Sequence, residues 1–279
     1  MVETKLVSVH GGHSGSFCNH ATDDLEDIIQ SYINKKFEWV CITEHMPPVN
    51  DDFLYPDEIE AGLNAYMLLQ RFDKYIHTCR ELKKKYKQYL KIFIGFETET
   101  TTGYENHIKK LVNKFKPDII LGSVHHVNDM CFDYSIEYYK KAVSSVGGID
   151  ELYCRYFDIQ LEIIETLKPD IIAHFDLIRI FDPDYKNRIN KPEIQKKILR
   201  NLSHIKKYDL ILDFNVRALS KGQDEPYISE TILDMAKELN ISVIPGDDSH
   251  GVDSVGLNIK KGISILQKKG FNTSWKFMD

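Results

Sequence analysis

Short, strongly apolar segments alternate with longer amphipathic segments along most of the chain. Seven of the apolar segments are rich in β-branched residues and are predicted to be strands: residues 6–10, 39–43, 92–97, 119–125, 171–174, 210–215 and 241–245. Most of them have almost no polar interruption, which is typical of strands that are buried on both faces of a parallel sheet.

The segments between these strands have helical periodicity. In residues 22–35, apolar side chains recur every three or four positions behind an acidic first turn, and residues 150–167 and 229–239 follow the same rule. A repeated strand-then-helix order indicates parallel βαβ units. Seven such units predict one closed α/β barrel, so we expect a single domain that spans residues 1–279.

One segment, residues 46–61, interrupts this regular order. It is rich in Pro, Asp and Asn, and it follows the second predicted strand directly. Such a composition favours turns over helices or strands. We therefore expect a loop or lid that covers the end of the second strand.

Composition excludes several classes of partner. The formal net charge of −6, from 36 Lys and Arg against 42 Asp and Glu, offers polyanions no general attraction, so no nucleic acid is expected. No segment approaches the roughly 20 apolar residues of a membrane span, so no membrane partner is expected. Five scattered cysteines without a CxxC motif indicate reduced thiols and a cytoplasmic protein. The sequence leaves open whether the chain forms a homo-oligomer.

Polar residues that can bind metals follow nearly every predicted strand. In an α/β barrel the loops after the strands converge at one mouth, so these side chains are expected to meet in space. The residues are His10, Glu44, His45, Glu97, His125, His126, His174, Asp176, Asp213, Asn215, Asp247, Asp248 and His250.

This collection of imidazoles and carboxylates predicts a catalytic metal centre. Such ligands suit Zn, Mn or Fe, and the absence of thiolates from the set argues against a structural zinc site. The ligands outnumber the three or four that one ion needs, and a carboxylate such as Glu97 can bridge two ions. We expect two or three divalent ions.

The first of these segments adds two more histidines. His10, His13 and His20 lie within eleven residues, with Gly11 and Gly12 between the first two. In a regular strand, an HxxH spacing places the two rings on opposite faces. The chain must therefore turn or bulge near the glycines if both histidines bind one cluster.

Several motifs in the order found here resemble those of the PHP (polymerase and histidinol phosphatase) domain, and in particular the histidinol-phosphate phosphatases. The motifs are HxxHSGSFCxH at 10–20, TEH at 43–45, GFE at 95–97, GSVHH at 122–126, AHFD at 173–176, DFN at 213–215 and GDDSHG at 246–251. The resemblance covers nearly the whole chain. It implies a distorted (β/α)7 barrel with a trinuclear site that usually holds zinc, manganese or iron.

The resemblance also implies a ligand set for each ion. His10, His13, Glu97 and Asp248 match the ligands of the first ion; Glu97, His125 and His174 those of the second; and His20, His45 and His250 those of the third. The chain departs from the family at one point. The usual opening is HxH followed by five residues and His, whereas here HxxH is followed by six residues and His20.

The activity implied by the resemblance is the hydrolysis of L-histidinol phosphate in histidine biosynthesis. We hypothesise that the ions activate water for attack on phosphorus, that Asp248 takes up its proton, and that His250 or metal-bound water protonates the leaving oxygen, with Glu97 bridging two ions. Cationic side chains must hold the phosphoryl oxygens. The candidates are Arg179, Arg217 and Lys221, and the acids Glu44 and Asp176 are candidates for binding the amine or imidazole of the substrate.

Three alternatives remain open at this point. The chain could act on another small phosphate ester, a nucleotide or phosphotyrosine, and a panel of substrates would separate these. It could be a non-catalytic metal-binding domain, although every later motif keeps a ligand. It could be an amidohydrolase, although no lysine between the third and fourth strand ends is placed for the carboxylated bridge that many of those enzymes use.

Overall fold

Seven parallel strands form one sheet that curves into a nearly closed barrel, as predicted. A computed structural model describes residues 5–275; residues 1–4 and 276–279 of the predicted single domain lie outside that range. The strands follow the chain in neighbouring order: β1 (Leu6–Gly11), β2 (Phe37–His45), β3 (Lys91–Glu97), β4 (Ile119–Gly122), β5 (Ile171–Ile172), β6 (Ile211–Asn215) and β7 (Val243–Gly246). At the seam between β1 and β7, the backbone N–H of Asp248 donates to the carbonyl of His10 at 2.8 Å.

Alternate residues of the strands fill the barrel and pack against the helices. Trp39 and Cys41 of β2 belong to an apolar cluster inside the barrel, whereas Val40 and Ile42 belong to the larger outer cluster. Both sets are almost fully buried. A strand that is apolar on both faces in this way explains why the sequence shows uninterrupted apolar segments.

Most of the helices surround the barrel on its outer face, and two short ones lie at its mouth, where their residues line pockets. The helices are α1 (Leu25–Asn34), α2 (Pro56–Glu60), α3 (Ala65–Tyr86), α4 (Tyr104–Phe115), α5 (Ile136–Val146), α6 (Ile149–Thr166), α7 (Tyr185–Arg188), α8 (Pro192–Tyr208), α9 (Arg217–Ser220), α10 (Glu230–Glu238) and α11 (Ile259–Lys268). The three helices predicted from periodicity are α1, α6 and α10, and they agree to within three residues at each end. Among the described residues, no helix is long and apolar enough to cross a bilayer.

Two strands end earlier than predicted. The prediction over 119–125 was too long, because β4 ends at Gly122 and the backbone N–H of Ser123 donates to the Thr98 hydroxyl instead of continuing the sheet. The chain then forms a small antiparallel hairpin, His126–Val127 with Met130–Cys131. The prediction over 171–174 was also too long. His174 has a φ of +23°, which a strand does not permit.

The 46–61 segment is only partly irregular. It contains a 3-10 turn, Asp51–Phe53, and the short helix α2. The backbone N–H of Tyr55 donates to Glu58 Oε2 at 2.8 Å, and Pro56 occupies the first helical position, so the start of α2 is well capped. The prediction of a loop throughout was therefore wrong at residues 56–60. Amino-acid composition alone does not distinguish a proline that begins a helix from a proline in a turn.

Candidate metal centre

The carboxylate of Glu97 lies at the centre of the barrel mouth, at the C-terminal end of β3. It is 1% exposed. One oxygen, Oε1, lies 2.9 Å from His125 Nε2 and 2.6 Å from His174 Nε2. The other, Oε2, lies 3.2 Å from His10 Nε2 and 3.8 Å from His13 Nε2. His45 Nδ1 also lies 3.8 Å from Oε2, so a single carboxylate faces five imidazoles, two on Oε1 and three on Oε2.

A β-bulge brings His10 and His13 to the same side of the barrel wall. Ser8 pairs with Val40 and Gly11 pairs with Ile42, so two residues of β1 stand opposite one residue of β2. This extra residue turns the His10 side chain toward the barrel mouth. The turn that follows β1 brings the His13 side chain to the same side. The expected irregularity is present, one step before the glycines.

Gly11 and Gly12 make this entry possible by close packing. A Cβ on Gly11 would lie 2.5 Å from Val40 Cγ2, and one on Gly12 would lie 2.6 Å from Ile28 Cγ2. Larger residues would push the turn away from the outer layer and move both histidines. Glycine is therefore needed at both positions because a side chain would not fit. Backbone freedom is not the reason, since neither residue has a positive φ.

The loop after β7 supplies Asp248 and His250. Oδ1 of Asp248 lies 3.5 Å from His13 Nε2 and 3.9 Å from His10 Nε2. Its other oxygen accepts a hydrogen bond from Asn215 Nδ2 at 3.1 Å. Asp248 has a φ of +46°, a strained backbone conformation that is frequent at functional sites.

Three further imidazoles stack at one side of this group. The ring of His20 lies 5.6 Å from that of His45 and 5.0 Å from that of His250, centre to centre. The His13 ring is 4.3 Å from the His250 ring. The structure therefore brings all nine predicted metal ligands together at one mouth, although they come from six separate segments.

Acidic side chains lie behind the rings of four histidines and make hydrogen bonds to three of them, His10, His45 and His125. Nδ1 lies 3.0 Å from Asp213 in His10, 2.9 Å from Glu99 in His45, 2.8 Å from Asp133 in His125 and 3.5 Å from Glu44 in His13. A carboxylate on Nδ1 directs Nε2 toward the centre and makes it a better ligand. In three of these rings Nε2 is the atom that faces Glu97.

Sequence reasoning missed two of these orienting acids. Glu99 lies two residues after Glu97. Residues two apart in an extended segment point to the same side, so this spacing could have indicated that Glu99 also faces the site. Asp133 lies just after the small hairpin. No strand pattern marks its position, so only the folded chain shows that it lies behind His125.

The electrostatics of the cluster suit a cation at its centre. Burial raises the pKa of the Glu97 carboxyl, but the positive charges of His10 and His125 outweigh burial and hold that pKa well below its usual range. Burial and the nearby His45 and His13 lower the pKa of His20 to about 3. Glu97 is thus ionised and His20 is neutral, which are the forms that bind metals.

The donor atoms fit divalent metal ions. Several sets of at least three donors lie within 4.8 Å of one another, among them His10 with His13 and Glu97, and Glu97 with His125 and His174. Nε2 of His10 and Nε2 of His13 are buried and make no hydrogen bond within the described residues. Buried nitrogens without hydrogen bonds are rare in proteins, and a metal would satisfy both.

Comparison with known proteins assigns the family. The PHP domain matches residues 11–217, well over half of the chain. The chain belongs to the PHP domain family. Among its relatives, a "Probable histidinol-phosphatase" of Schizosaccharomyces pombe is 36% identical over 271 residues, covering 96% of this chain and 88% of the relative. A "Histidinol-phosphatase" of Saccharomyces cerevisiae is 29% identical, covering 92% and 88%.

Solved structures of similar proteins confirm the barrel of this PHP domain. The crystal structure of hisK from Listeria monocytogenes superposes with a TM-score of 0.81 at 27% identity, covering 91% of this chain and 99% of that one. Histidinol phosphate phosphatase from Lactococcus lactis, in complex with Zn, L-histidinol and phosphate, superposes with a TM-score of 0.73 at 22% identity, covering 96% and 95%.

In this PHP domain the cluster of candidate ligands faces an open pocket that two cations also line. The pocket is lined by the ligand residues Glu97, His125, His174, Asp248 and His250, together with Arg217, Lys221, Tyr55, Tyr134 and Tyr227. NH1 of Arg217 donates to the carbonyl of Asp248 at 2.5 Å, and Lys221 is exposed. Both cations line the mouth of the barrel, and their contact with a phosphate stays a prediction.

Arg179 is placed differently from the prediction. Its side chain is fully buried, and its guanidinium donates to Asp176, to Gln223 and to the carbonyls of Glu225 and Pro226. A guanidinium that is held in this way cannot turn toward a phosphate in the pocket. Sequence position after β5 could not distinguish a buried structural arginine from one at the mouth.

The two acids predicted to bind the amine or imidazole of a substrate differ in how far the protein itself occupies them. Glu44 is 2% exposed and accepts hydrogen bonds on Oε1 from the backbone N–H and hydroxyl of Ser14. Asp176 is fully buried and accepts from Arg179 and from the backbone of Ile228 and Ser229. Asp176 therefore supports the fold, whereas Glu44 keeps one oxygen free of hydrogen bonds.

Proposed function

We propose that this PHP domain is a metal-dependent phosphoric monoester hydrolase that converts L-histidinol phosphate to L-histidinol and phosphate in histidine biosynthesis. The observation that carries this proposal is the Glu97 cluster, which faces a pocket that also holds Arg217 and Lys221. Metal ligands and cations that line the same pocket suit a phosphate ester. Relatives named as histidinol-phosphatases, which match this chain over nearly all of its length, support the choice of alcohol.

The proposed ligand sets follow the groups that the fold assembles. His10, His13, Glu97 and Asp248 would hold a first ion, and Glu97, His125 and His174 a second. His20, His45 and His250 would hold a third. Among Zn, Mn and Fe we favour zinc, because the similar protein from Lactococcus lactis was solved with zinc and because the donors are mostly imidazoles.

Divalent ions at such a centre act as Lewis acids and make water a better nucleophile at neutral pH. The chain's own residues supply the remaining functions. Asp248 is an ionised carboxylate beside His10 and His13, and it can accept the proton of the attacking water. Arg217 and Lys221 can hold the phosphoryl oxygens that carry charge in the transition state.

His250 suits a ligand better than a general acid. Burial and the positive charges around it hold the pKa of His250 well below its usual range. Its Nδ1 accepts a hydrogen bond from the Arg217 guanidinium at 2.5 Å and lies 3.0 Å from the carbonyl of Asp248, so Nδ1 cannot carry a proton to the leaving oxygen. The proton for the leaving oxygen then comes from another donor, and Lys221 at the rim is a candidate.

The proposal describes a cytoplasmic enzyme with a small-molecule substrate, built as one domain over residues 1–279. All five cysteines are free, which suits a reducing compartment. The pocket is lined by three tyrosines and two cations, a surface that suits a compact ester more than a polynucleotide. A homo-oligomer is compatible with this description.

The proposal is tested by a panel of phosphate esters. The purified protein is stripped of metal, reloaded separately with Zn, Mn or Fe, and assayed for phosphate release. The panel contains L-histidinol phosphate, nucleoside monophosphates, phosphotyrosine and phenyl phosphate. We expect L-histidinol phosphate to have the largest kcat/KM and the stripped protein to be inactive. A larger kcat/KM for another ester would keep the metal chemistry and reject this substrate.

A further inference from the structure

A second cavity lies behind one wall of the metal pocket, beneath the 46–61 segment. We call it the side cavity. His20, His45 and Tyr55 line both the side cavity and the metal pocket, so the two spaces are neighbours with a shared wall. A group bound in the side cavity would therefore lie beside the candidate metal centre.

The apolar part of the lining is extensive. It consists of Phe17, Met46, Pro47, Pro48, Phe53, Leu68, Phe72 and Tyr75. Aromatic and branched side chains on several walls favour a flat or compact apolar group. Such a lining alone would select only for an apolar body.

The charged part of the lining is predominantly acidic. Four carboxylates, those of Glu44, Asp57, Glu58 and Glu99, line the cavity together with one guanidinium, that of Arg71. The imidazoles of His45 and His126 face Glu99 at 2.9 and 3.1 Å, so that carboxylate is compensated. The remaining surplus of negative charge favours a cation in the cavity.

Several polar atoms of this lining lack a partner. Both carboxylate oxygens of Asp57 are shielded from solvent, and none of the described residues donates a hydrogen bond to them. Oε2 of the buried Glu44 also lacks a hydrogen bond, and His13 Nδ1 lies 3.5 Å away from it. The buried hydroxyl of Thr101 makes no bond either. Unpaired carboxylate oxygens are uncommon in folded proteins and indicate a missing donor.

We propose that the side cavity binds the leaving alcohol of the substrate and selects an alcohol with an apolar body and a positive charge. Asp57 is the residue that recognises the charge, with Glu44 and Thr101 as further acceptors. The imidazole and ammonium groups of L-histidinol have this chemistry, since they combine a flat ring with several N–H donors. The inference rests on the proposed function and names the part of the site that selects the alcohol.

The test compares a charged with a neutral leaving group. Asp57→Asn keeps the shape of the side chain and removes its charge, and kcat/KM is measured for L-histidinol phosphate and for phenyl phosphate with the metal-loaded enzyme. Because a hydrogen bond to a charged group is worth about 1.5–3 kcal/mol, we expect a loss of roughly 10- to 100-fold for L-histidinol phosphate. We expect phenyl phosphate hydrolysis to change by less than about twofold, because that alcohol offers Asp57 no cation.

Two variants accompany the measurement. Glu60→Gln removes an exposed charge from the same helix and should leave both substrates unchanged. Thr101→Val removes a buried hydroxyl, and it should weaken competitive inhibition by L-histidinol of phenyl phosphate hydrolysis by about threefold to tenfold, in keeping with one neutral hydrogen bond. The Thr101→Val measurement tests the side cavity independently if Asp57→Asn folds poorly.

An equal loss for both substrates in Asp57→Asn, or no loss for either, would overturn the inference. A wild-type enzyme that hydrolyses phenyl phosphate but not L-histidinol phosphate would instead overturn the proposed function. In that event, inhibition of phenyl phosphate hydrolysis by L-histidinol tests the side cavity separately. Inhibition that Asp57→Asn weakens would support the inference, and absence of inhibition would reject it.

Discussion

The hydroxyl of Tyr32 lies 2.9 Å from each carboxylate oxygen of Asp247. The same hydroxyl is 2.9 Å from Ser249 Oγ and accepts a hydrogen bond from the backbone N–H of Gly12 at 3.1 Å. Gly12 lies in the turn between His10 and His13, and Asp247 and Ser249 flank Asp248. One buried hydroxyl thus joins the two loops that carry most of the first proposed ion site.

Tyr32→Phe should therefore weaken metal binding selectively. The ring stays in place, but the two loops lose their common hydrogen-bond partner. We expect the affinity of the ion bound by His10, His13 and Asp248 to fall about 10- to 100-fold, as is usual for contacts behind metal ligands. Titration with zinc against a chromophoric chelator measures it. The ion bound by Glu97, His125 and His174 should keep its affinity.

Tyr153→Phe is the matched control for this experiment. Tyr153 is also fully buried and also donates to an aspartate, Asp182, at 2.9 Å, but it does not line the metal pocket. Both variants should lose a similar amount of stability. Equal weakening of every ion in Tyr32→Phe, or the same weakening in Tyr153→Phe, would contradict a positioning role for Tyr32.

Removal of metal should lower the melting temperature of the protein. Ions that bind only the folded state stabilise it by about 2.7 kcal/mol when their free concentration is 100 times Kd. For a chain of this size that corresponds to a shift of roughly 5–10 °C. Differential scanning calorimetry before and after chelation measures the shift, and readdition of zinc should reverse it. A melting temperature that does not respond to zinc would argue against a metal centre.

Much of this architecture follows from the sequence, and the reasons are local. The strands of the barrel are apolar on both faces, as Trp39 to Ile42 illustrate, so their positions are visible as uninterrupted apolar segments. The ligands at the strand ends can also be recognised in the sequence, because each of them follows one of these apolar segments. The ends of β4 and β5 were not predictable, since a hydrogen bond from Ser123 to Thr98 and the backbone of His174 decide them.

Arg217→Gln should reduce catalysis and leave the fold intact. The side chain is partly exposed at the pocket rim, and we propose that it holds a phosphoryl oxygen. Removal of one such donor typically costs about 100- to 1,000-fold in kcat. Steady-state kinetics with L-histidinol phosphate, together with thermal unfolding, measure both properties. Activity within about threefold of the wild type would show that Arg217 does not contact the transferred group.

Arg179→Met should have the opposite effect. The substitution leaves Asp176 as a buried carboxylate without its guanidinium, and breaking a buried pair in this way costs about 3–5 kcal/mol of stability. Denaturant unfolding should show that loss, whereas the folded fraction should keep most of its kcat. A stable protein with a large loss of kcat would instead restore Arg179 as a phosphate ligand.

Arg179 and Arg217 also show where sequence reasoning stops. Both follow predicted strands and both are arginines in otherwise similar surroundings, yet one is enclosed by Gln223, Glu225 and Pro226 and the other reaches the pocket. Asp133 and Glu99 were missed for a related reason. Their role depends on which ring they face, and that contact exists only after the loops have converged.

The most direct test of the central claim is the zinc-dependent hydrolysis of L-histidinol phosphate by Glu97→Gln beside the wild type. Bound zinc is counted by atomic absorption in the same samples. Because Glu97 faces five imidazoles, we expect the variant to retain its fold, to lose at least one zinc per chain and to lose nearly all phosphate release. A variant that keeps wild-type zinc content and wild-type hydrolysis would contradict a metal centre organised around Glu97.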